Sequence, residues 1–589
     1  MRPDPVKYSD QFIDWLVDLG YTHCFFVAGG NIMHLLDSAR TRLKCIAVVH
    51  EVAAGIAAEY FNQTTEDGKA FAMVTAGPGL TNIVTAIGGA WLENRDLLVV
   101  GGQVKSEDLM TGGLRQRGIQ EIDGVSITES ITKSSIRLSE PFDEWSIKST
   151  VMLGLTPRKG PVFIEVCLDV QGAPPIQSQQ PSIVKSEEST KTTQSFIRQI
   201  VAQLNESERP AILIGAGVSR QVAWHHRQLL EDLQLPLLTT WHGADRLSSR
   251  ADNYFGRSET WGQRLANMIV NQADVLLVLG ARLGFQETGF NWHEFAKNAR
   301  IIHVDIDEAE LHKGHPDVHL KVHGDADAIV AGILTEDLPQ RPEWLSYCKE
   351  MRELLPLNEH ANETGPEFTS PYDFYLSASE LSGEDDVWVP ASSGGANSVA
   401  IQALQQWGNQ KVICDNGLAS MGYGLSGAIG AAFAVPDKRI WLVEGDGGFT
   451  QNLQELATVA VNRLNIKIFI FSNEGYGSIR TTQKNYFNGD YLGCDTSTGL
   501  GFPNWRVLAD AYGIAYGFFT RDGFNDPVLK DALSTIGPVL IEVPIDPLQT
   551  YWPKIMSRVT ESGSMESNPL YRMSPDLPDE TWAKVSRFL

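Results

Sequence analysis

Short apolar runs that end in small or polar residues recur along the chain, and segments with helical periodicity separate them. Residues 8–19 carry one such helical pattern, which Gly20 closes. Alternation of buried strands with helices predicts parallel sheets whose loops gather at one edge. In the first unit, residues 1–175, the predicted strands lie within residues 23–30, 70–79, 97–102 and 162–166.

The same alternation predicts two further units, at residues 195–338 and 371–550. Polar, aperiodic segments at residues 176–194 and 339–370 are interpreted as linkers. A tail at residues 551–589 could form a lid over a site or a docked surface arm. The chain is therefore predicted to be an α/β protein of three doubly wound parallel-sheet domains. In the second unit the predicted strands are residues 210–215, 235–240, 275–280 and 301–306.

One βαβ unit in the third domain carries the strongest chemical signal. Its predicted elements are a strand at residues 440–443, a Gly-Asp-Gly turn, a helix at residues 451–463 and a strand at residues 466–471. Asp446 follows the first strand and Asn473 the second, so parallel strands bring both oxygens to one edge, where they could hold Mg²⁺. Backbone N–H groups could approach a phosphate at three glycines of the turn, Gly445, Gly447 and Gly448.

A purely structural βα turn would use Gly and Asp for the same backbone reasons without binding anything. An EF-hand is excluded because no alternating Asp or Asn ligands and closing Glu follow Asp446. The complete pattern, with Asn473 and then Gly475 after the second strand, resembles the cofactor motif of thiamine-diphosphate enzymes. The resemblance implies that Asp446, the Asn473 side chain and the Gly475 carbonyl are Mg²⁺ ligands beside the diphosphate.

Glu51 lies in an apolar stretch, residues 46–59, that predicts a largely buried helix with the acid at its start. An acid there could simply complement the helix dipole. A buried carboxylate is costly unless something uses it. Residues 48–107 are similar to the pyrimidine-binding domain of the acetolactate synthase group, and that resemblance implies that Glu51 activates the cofactor.

The same resemblance carries over to other positions of the first domain. It implies a loop bordering the reacting carbon and a region for the substrate and a second cofactor. His34 could equally be a satisfied histidine on a helix face. Ile119 stands where a Phe is expected and Ala28 where a Pro is usual, so the acceptor substrate is left open. The positions carried over are Gly29, Gly30, Asn31, His34, Gln103, Gln120 and Lys133.

In the third domain, residues 387–398 resemble the loop that grips the diphosphate. Met421 matches the bulky residue that bends the cofactor into its V shape, although plain core packing is the alternative for a Met. The cofactor contacts that this resemblance implies are Gly394, Gly395, Asn397, Ala419 and Met421.

The second unit resembles the central domain of the group, which binds FAD in acetolactate synthases and is empty in other members. Arg282, Asp305 and Asp307 stand where FAD contacts would be expected. The Gly-rich turn at residues 215–219 is a weak nucleotide-loop signal, since such turns are common in doubly wound sheets. FAD is therefore a possible cofactor.

Composition narrows the partners and the location. The chain is 43% hydrophobic and 20% charged, and its net charge of −24 disfavours nucleic acid and anionic membranes. Six cysteines are scattered without a CxxC pair, and several lie in apolar strand-like runs, which favours buried free thiols there over a redox role. The N-terminus lacks an apolar signal core, and no apolar run approaches the roughly 20 residues of a membrane span. We expect a cytoplasmic protein.

The resemblance covers nearly the whole chain and implies a homodimer or homotetramer with cofactor sites between subunits. The implied activity is that of a carboligase, which decarboxylates a 2-oxo acid, most plausibly pyruvate, and transfers the two-carbon unit to an acceptor carbonyl compound. A 2-oxo acid decarboxylase or a carbon–carbon lyase of the same fold is the alternative. A non-catalytic subunit is disfavoured because Glu51 and Asp446 are both present.

Overall fold

The computed structural model of the chain describes residues 5–177, 190–392, 394–559, 561 and 563–589. Within these residues, three six-stranded sheets of parallel strands have helices in their crossovers. The predicted α/β fold class is confirmed. No helix in this described part is both long and apolar enough to cross a bilayer.

The first sheet has the strand order β2-β1-β3-β4-β6-β5, and the order reverses between β1 and β3. Loops at such a reversal leave in opposite directions and open a crevice at the carboxyl ends of the strands. The strands are β1 Tyr21–Phe26, β2 Lys44–Ala47, β3 Lys69–Val74, β4 Leu97–Gln103, β5 Ser134–Leu138 and β6 Pro161–Cys167. The helices are α1 Tyr8–Asp18, α2 Met33–Ala39, α3 Glu51–Thr64, α4 Pro78–Leu92, α5 Gly124–Thr128, α6 Glu144–Leu153 and α7 Leu168–Gln171.

The second sheet has the order β12-β11-β10-β7-β8-β9 and reverses between β7 and β10. Its strands are β7 Pro210–Ile214, β8 Leu237–Thr239, β9 Tyr254–Arg257, β10 Val275–Leu279, β11 Arg300–Asp305 and β12 Leu320–His323. Its helices are α8 Thr190–Glu206, α9 Arg220–His225, α10 Arg227–Glu231, α11 Arg264–Gln272, α12 Phe285–Thr288, α13 Glu308–His312 and α14 Ala326–Ile333. Helix α15, Pro342–Leu354, then leads toward the third unit.

The third sheet has the order β14-β13-β15-β16-β18-β17 and reverses between β13 and β15. Its central strands are apolar along their length because both faces are covered. The strands are β13 Val387–Pro390, β14 Lys411–Val412, β15 Ile440–Gly445, β16 Ile466–Ser472, β17 Ala515–Phe518 and β18 Val539–Pro544. The helices are α16 Pro371–Leu381, α17 Ser398–Ala403, α18 Tyr423–Ala434, α19 Asp446–Phe449, α20 Leu456–Val461, α21 Gly477–Tyr486, α22 Trp505–Tyr512 and α23 Pro527–Ser534.

Three local predictions are wrong. The single helix expected at residues 451–463 is a 3₁₀ turn at Leu453–Glu455 followed by the short α20, because the chain leaves helical geometry at Asn452. Of the first predicted linker, residues 178–189 lie outside the described part, and its last residues already belong to α8. The second predicted linker contains α15, whose start is set by a proline in the first turn.

The tail docks on the second unit at its far end. Its hairpin pairs β19, Ser557–Val559, with β20, Met565–Ser567, and it ends in α24, Asp579–Val585. Arg264 Nη1 donates to the Met573 carbonyl at 2.8 Å, and Gln272 Nε2 donates to the Val585 carbonyl at 2.8 Å. These contacts make the end of the tail a docked arm.

Helices α3 and α18 pack across the boundary between the first and third units. Small residues let the helices approach closely: a Cβ on Gly430 would lie 2.0 Å from the Ala57 carbonyl oxygen. A Cβ on Gly427 would lie 2.5 Å from the Tyr60 ring. The two units that carry Glu51 and Asp446 are therefore held together by close helix packing within one chain.

Candidate cofactor site

Asp446 lies at the reversal point of the third sheet, where α19 begins directly after β15. Its side chain is buried, with 2% exposure, and accepts hydrogen bonds from Gly447 N at 2.7 Å and Asn473 N at 2.9 Å. Burial raises the pKa of Asp446 to about 6, although these backbone N–H groups favour the charged form. The carboxylate thus joins the ends of β15 and β16.

Two oxygen-bearing groups, the Asn473 amide and the Gly475 carbonyl, converge beside the Asp446 carboxylate. The Asn473 side-chain oxygen lies 2.6 Å from the Gly475 carbonyl oxygen and 3.3 Å from Asp446 Oδ1. Oxygens this close repel unless an electropositive group lies among them. Rotating the Asn473 amide by 180° would place its NH₂ group there, which would donate to both oxygens. With the amide oxygen in its present place, a bound cation would attract all three oxygens. A carboxylate, an amide oxygen and a carbonyl are ligands that fit Mg²⁺.

The turn after β16 is fixed from outside. Gly475 has φ 158°, and a Cβ there would lie 2.1 Å from the Cys494 carbonyl oxygen, so only glycine fits. Tyr476 N donates to the same carbonyl at 2.8 Å. Because the turn is held on its outer side, the Gly475 carbonyl remains directed at the Asn473 amide.

Some glycines of the two loops at the reversal point lie close to side chains. A Cβ on Gly447 would lie 2.3 Å from the Tyr476 ring, and one on Gly395 would lie 2.9 Å from the Tyr551 hydroxyl. No heavy atom lies within 4 Å of a Cβ built on Gly445. Of the loop glycines predicted to contact the cofactor, the others are Gly394, whose φ is 65°, and Gly448, which lies against Ser392.

Asn397, in the loop after β13, has a side-chain oxygen without a hydrogen-bond partner among the described residues. The residue is buried, and its Nδ2 donates to Asn416 Oδ1 at 3.4 Å. The unpartnered Oδ1 is itself buried. An orphaned buried acceptor is uncommon in a folded protein and marks a position where a ligand donor would be accommodated.

The loop before α18 presents Met421 to the surface of the chain, with 39% exposure, so core packing does not account for this side chain. Ala419 has φ 52°, a left-handed conformation that is costly for a residue other than glycine. Asp415 stabilises the loop because its carboxylate accepts from Leu418 N at 3.3 Å and Ser420 N at 3.0 Å. A strained loop held by its own carboxylate is characteristic of a functional position.

A buried polar junction of all three units supports this loop. Glu93 of α4's carboxyl end accepts from Asn416 N at 2.8 Å and Gly417 N at 2.5 Å, and it pairs with His242 of the second unit at 2.9 Å. Although burial alone would raise the pKa of Glu93, His242 and Arg95 hold it well below its usual range. The Glu93 carboxylate therefore fixes the loop as a charged group.

A second carboxylate completes the junction. Glu59 of α3 pairs with Arg95 at 2.7 Å and accepts from the Tyr423 hydroxyl at 3.1 Å. Arg95 also donates to the Cys414 carbonyl at 2.6 Å. This junction was not predicted from the sequence, although the charged residues inside the apolar stretch of α3 and at the end of α4 indicated buried polar contacts.

Glu51 is the first residue of α3 and is largely buried, with 9% exposure. Its Oε2 accepts from Asn82 Nδ2 of α4 at 2.9 Å, a contact that the sequence analysis did not foresee. The backbone just before it is held by Glu455 of the third unit, which accepts from Val49 N at 3.1 Å and His50 N at 2.9 Å. Asn82 orients the carboxyl, and Glu455 sets where α3 begins.

The remaining candidate residues of the first unit have different surroundings. Gln103 is buried and donates to the Ile122 carbonyl at 2.9 Å and to Glu165 at 3.0 Å, so its amide serves the protein interior. His34 lies against Gly172. Gln120 is exposed with φ 61°.

Other candidates line the crevice of the first sheet. Gly29 lies against Thr75, where a Cβ would come within 2.3 Å, and Asn31 N donates to Thr75 Oγ1 at 3.4 Å. Gly30 has open space around its Cβ position. Lys133 lies apart from this loop and donates to the Arg158 carbonyl at 3.0 Å.

The FAD candidates of the second unit are engaged by protein groups. Asp307 pairs with Arg158, Asp305 accepts from Asp307 N at 2.8 Å, and Arg282 Nη1 donates to the Leu92 carbonyl at 3.5 Å. The crevice between β7 and β10 is closed, since Gly217 N donates to the Gly280 carbonyl at 2.8 Å.

Arg246 further closes this crevice. It fills the space beneath the Gly-rich loop by donating to the Val218 carbonyl at 2.6 Å. A carbonyl of the loop therefore points into this space and accepts from Arg246. A phosphate-binding loop would instead present backbone N–H groups there. As arranged here, the residues do not fit FAD.

Three family models match: thiamine pyrophosphate enzyme N-terminal TPP binding domain at residues 6–127, central domain at residues 197–333 and C-terminal TPP binding domain at residues 393–543. The chain is 30% identical over 538 residues to the acetolactate synthase isozyme 1 large subunit of Escherichia coli K12, covering 90% of this chain and 92% of that protein.

Two more relatives extend this likeness. The acetolactate synthase large subunit of Porphyra purpurea is 31% identical over 565 residues, covering 92% of each chain. That of Corynebacterium glutamicum is 28% identical over 589 residues, covering 97% of this chain and 91% of its own.

Proposed function

The chain belongs to the acetolactate synthase family of thiamine-pyrophosphate (thiamine-diphosphate) enzymes, and we propose that it is a Mg²⁺-dependent carboligase that decarboxylates a 2-oxo acid. Pyruvate is the proposed donor, and a carbonyl compound accepts the two-carbon unit. The observation that carries the proposal is the convergence of Asp446, Asn473 and Gly475 at the reversal point of the third sheet, with a buried Glu51 on the first unit.

The proposed metal ligands are Asp446, the Asn473 side chain and the Gly475 carbonyl. One carboxylate, one amide oxygen and one carbonyl leave coordination positions open for phosphate oxygens, so a hard cation bound partly by phosphate suits this edge. Asn397, with its orphaned Oδ1, and the glycine loop at residues 394–395 would border the diphosphate. Bound thiamine diphosphate supplies a carbon nucleophile that adds to the keto carbon and accepts the electrons released with CO₂.

Glu51 is proposed to exchange a proton with N1′ of the aminopyrimidine ring. Burial keeps water from competing for that proton, and Asn82 holds the carboxyl in one orientation. Met421, exposed on the strained loop before α18, would support the bend of the cofactor. His34 and Gln120 are proposed to contact the substrates. Gln103 is proposed instead to stabilise the first sheet, because its amide donates to the Ile122 carbonyl and to Glu165.

A homodimer or homotetramer is part of the proposal, because Glu51 and Asp446 lie on separate units and the family resemblance implies sites between subunits. A cytoplasmic location is also proposed, and the free state of all six cysteines supports it. FAD is not part of the proposed chemistry, because its candidate contacts are engaged within the protein. Flavin absorbance of the purified protein, with FAD released into solution on denaturation, would contradict that exclusion.

The test is CO₂ release from pyruvate by the purified protein with thiamine diphosphate and Mg²⁺, with products identified by mass. Acetolactate from pyruvate alone would place the activity with acetolactate synthase. Release that rises only with an added aldehyde, ketone or sugar nucleotide would define a specialised carboligase. Aldehyde as the sole product would support the alternative decarboxylase, and no CO₂ from any 2-oxo acid would overturn the proposal.

A further inference from the structure

Arg480 is a buried cation beside the proposed metal ligands that the proposed function does not yet use. It lies in the first turn of α21 with 6% exposure, and its Nη2 donates to the Asn473 carbonyl at 2.6 Å. Its Nε is buried without a hydrogen-bond partner among the described residues. The side chain is therefore held against the loop at residues 473–475, called the metal loop below, and its Nε–H remains free to donate.

Among the residues that the structure describes, no carboxylate forms an ion pair with Arg480 within 4.0 Å. Asp495 lies near Arg480, but its carboxylate accepts from Ser497 Oγ at 2.7 Å and Thr498 N at 3.0 Å. The hydrogen bonds from Ser497 and Thr498, more than Arg480, lower the pKa of Asp495. Burying a guanidinium costs several kcal/mol unless an anion compensates it. Such a group at a ligand site is evidence that the compensating anion belongs to the ligand.

Tyr551 of the tail faces the same space from the other side. Its hydroxyl lies 2.9 Å from a Cβ position on Gly395, and its ring lies 3.6 Å from one on Gly394. Burial raises the pKa of Tyr551, and Arg480 and Asp446 are both near enough to shift it in opposite directions. Arg480 and Tyr551 thus flank the gap between the glycine loop and the metal loop.

Charge balance shows what this gap would accept. Mg²⁺ and the Asp446 carboxylate together leave one net positive charge, whereas a diphosphate ester carries more than one negative charge near neutral pH. The residual negative charge would be buried. Arg480 is the buried cation next to these ligands, and a guanidinium suits phosphate oxygens geometrically.

We propose that Arg480, with the Tyr551 hydroxyl beside it, binds the diphosphate of the cofactor and balances its residual charge. This inference rests on the proposed function, because it takes thiamine diphosphate as the ligand. It adds a charged contact from α21 and ties the tail to the cofactor site. The start of the tail is then part of the site, while its end is an arm on the second unit.

The test compares thiamine diphosphate with thiamine monophosphate at fixed Mg²⁺, with Kd measured by calorimetry. Arg480→Gln is expected to weaken thiamine diphosphate binding by about 10- to 100-fold and to lower the preference over the monophosphate, because one charge-assisted contact is lost. Arg480→Lys should retain most of that preference. Lys484→Gln removes the same charge from an exposed position of the same helix and should change neither Kd.

General damage to the fold would weaken the binding of both ligands alike. The Kd of thiamine monophosphate divided by that of thiamine diphosphate therefore isolates the diphosphate contact. An unchanged ratio in Arg480→Gln overturns the inference, including the case in which the KM for pyruvate rises instead. If Arg480→Gln does not fold, Tyr551→Phe decides: the ratio should fall by a smaller factor, and an unchanged ratio overturns it. Absence of Mg²⁺-dependent binding by the wild-type protein would instead overturn the proposed function, and this inference with it.

Discussion

Replacement of Gly430 by Ala tests the close packing that joins the first and third units. A Cβ at this position would lie 2.0 Å from the Ala57 carbonyl oxygen, where ordinary contact begins at 3.4 Å, so helices α3 and α18 must separate by roughly 1.4 Å. Overpacking by a methyl group costs about 1–3 kcal/mol. The gain in helix propensity returns about 1 kcal/mol. Because the added methyl group meets a backbone carbonyl, which cannot rotate away, we expect the upper end of the overpacking cost. The net decrease in the free energy of unfolding is then about 2 kcal/mol.

This loss corresponds to a decrease in Tm of roughly 4–8 °C for a unit of this size. Differential scanning calorimetry at a fixed scan rate measures it. Gly88→Ala is the matched control, since it also adds a methyl group inside a helix, but that Cβ meets only Leu418 at 3.9 Å. Gly88→Ala should leave Tm unchanged or raise it slightly.

The Gly430 substitution should also weaken thiamine-diphosphate binding, because α3 begins with Glu51 and α18 follows the loop that carries Met421. A Gly430→Ala protein with a Tm equal to that of Gly88→Ala and wild-type cofactor affinity would refute the reasoning. It would show that the two helices do not pack closely in solution.

Three further outcomes follow from the site. Asp446→Ala should abolish Mg²⁺-dependent thiamine-diphosphate binding, and unchanged affinity by calorimetry would contradict the ligand assignment. Glu93→Gln should weaken cofactor binding by about 10-fold through release of the loop at Asn416, and an unaltered Kd would show that the junction has no part in positioning. Burial raises the pKa of Glu59 from 4.5 to about 7, so the folded state binds the extra proton and stability should fall as pH rises across that range. Glu59→Gln should remove this decline in Tm, and a wild-type profile without it would contradict the assignment.

Much of the fold followed from local patterns. Apolar runs closed by glycine predicted the central strands of each sheet, because strands covered on both faces are apolar along their length. Edge strands such as β5 and β9 were missed, since a short run at a sheet edge resembles the surrounding loops. The helix expected at residues 451–463 was wrong because its periodicity continues across Asn452, where the backbone turns.

The candidate site was predictable where its chemistry lies within one motif. Asp446, Asn473 and Gly475 follow two adjacent strands, and parallel pairing alone brings them together. Asn82, Glu93 and Arg480 were not foreseen, because their significance depends on contacts between distant segments. The Glu93 contact with His242 joins positions whose proximity no local pattern encodes.

The most direct test of the account measures the exchange of the C2 proton of bound thiamine diphosphate for deuterium, with Mg²⁺, in the wild-type protein and in Glu51→Gln. The account predicts fast exchange in the wild type. In the variant we expect exchange slowed by roughly 100-fold or more, with cofactor affinity retained, because only the proton relay at N1′ is removed. Equal exchange rates in the two proteins, both saturated with cofactor, would contradict the role of Glu51 and with it the proposed catalytic site.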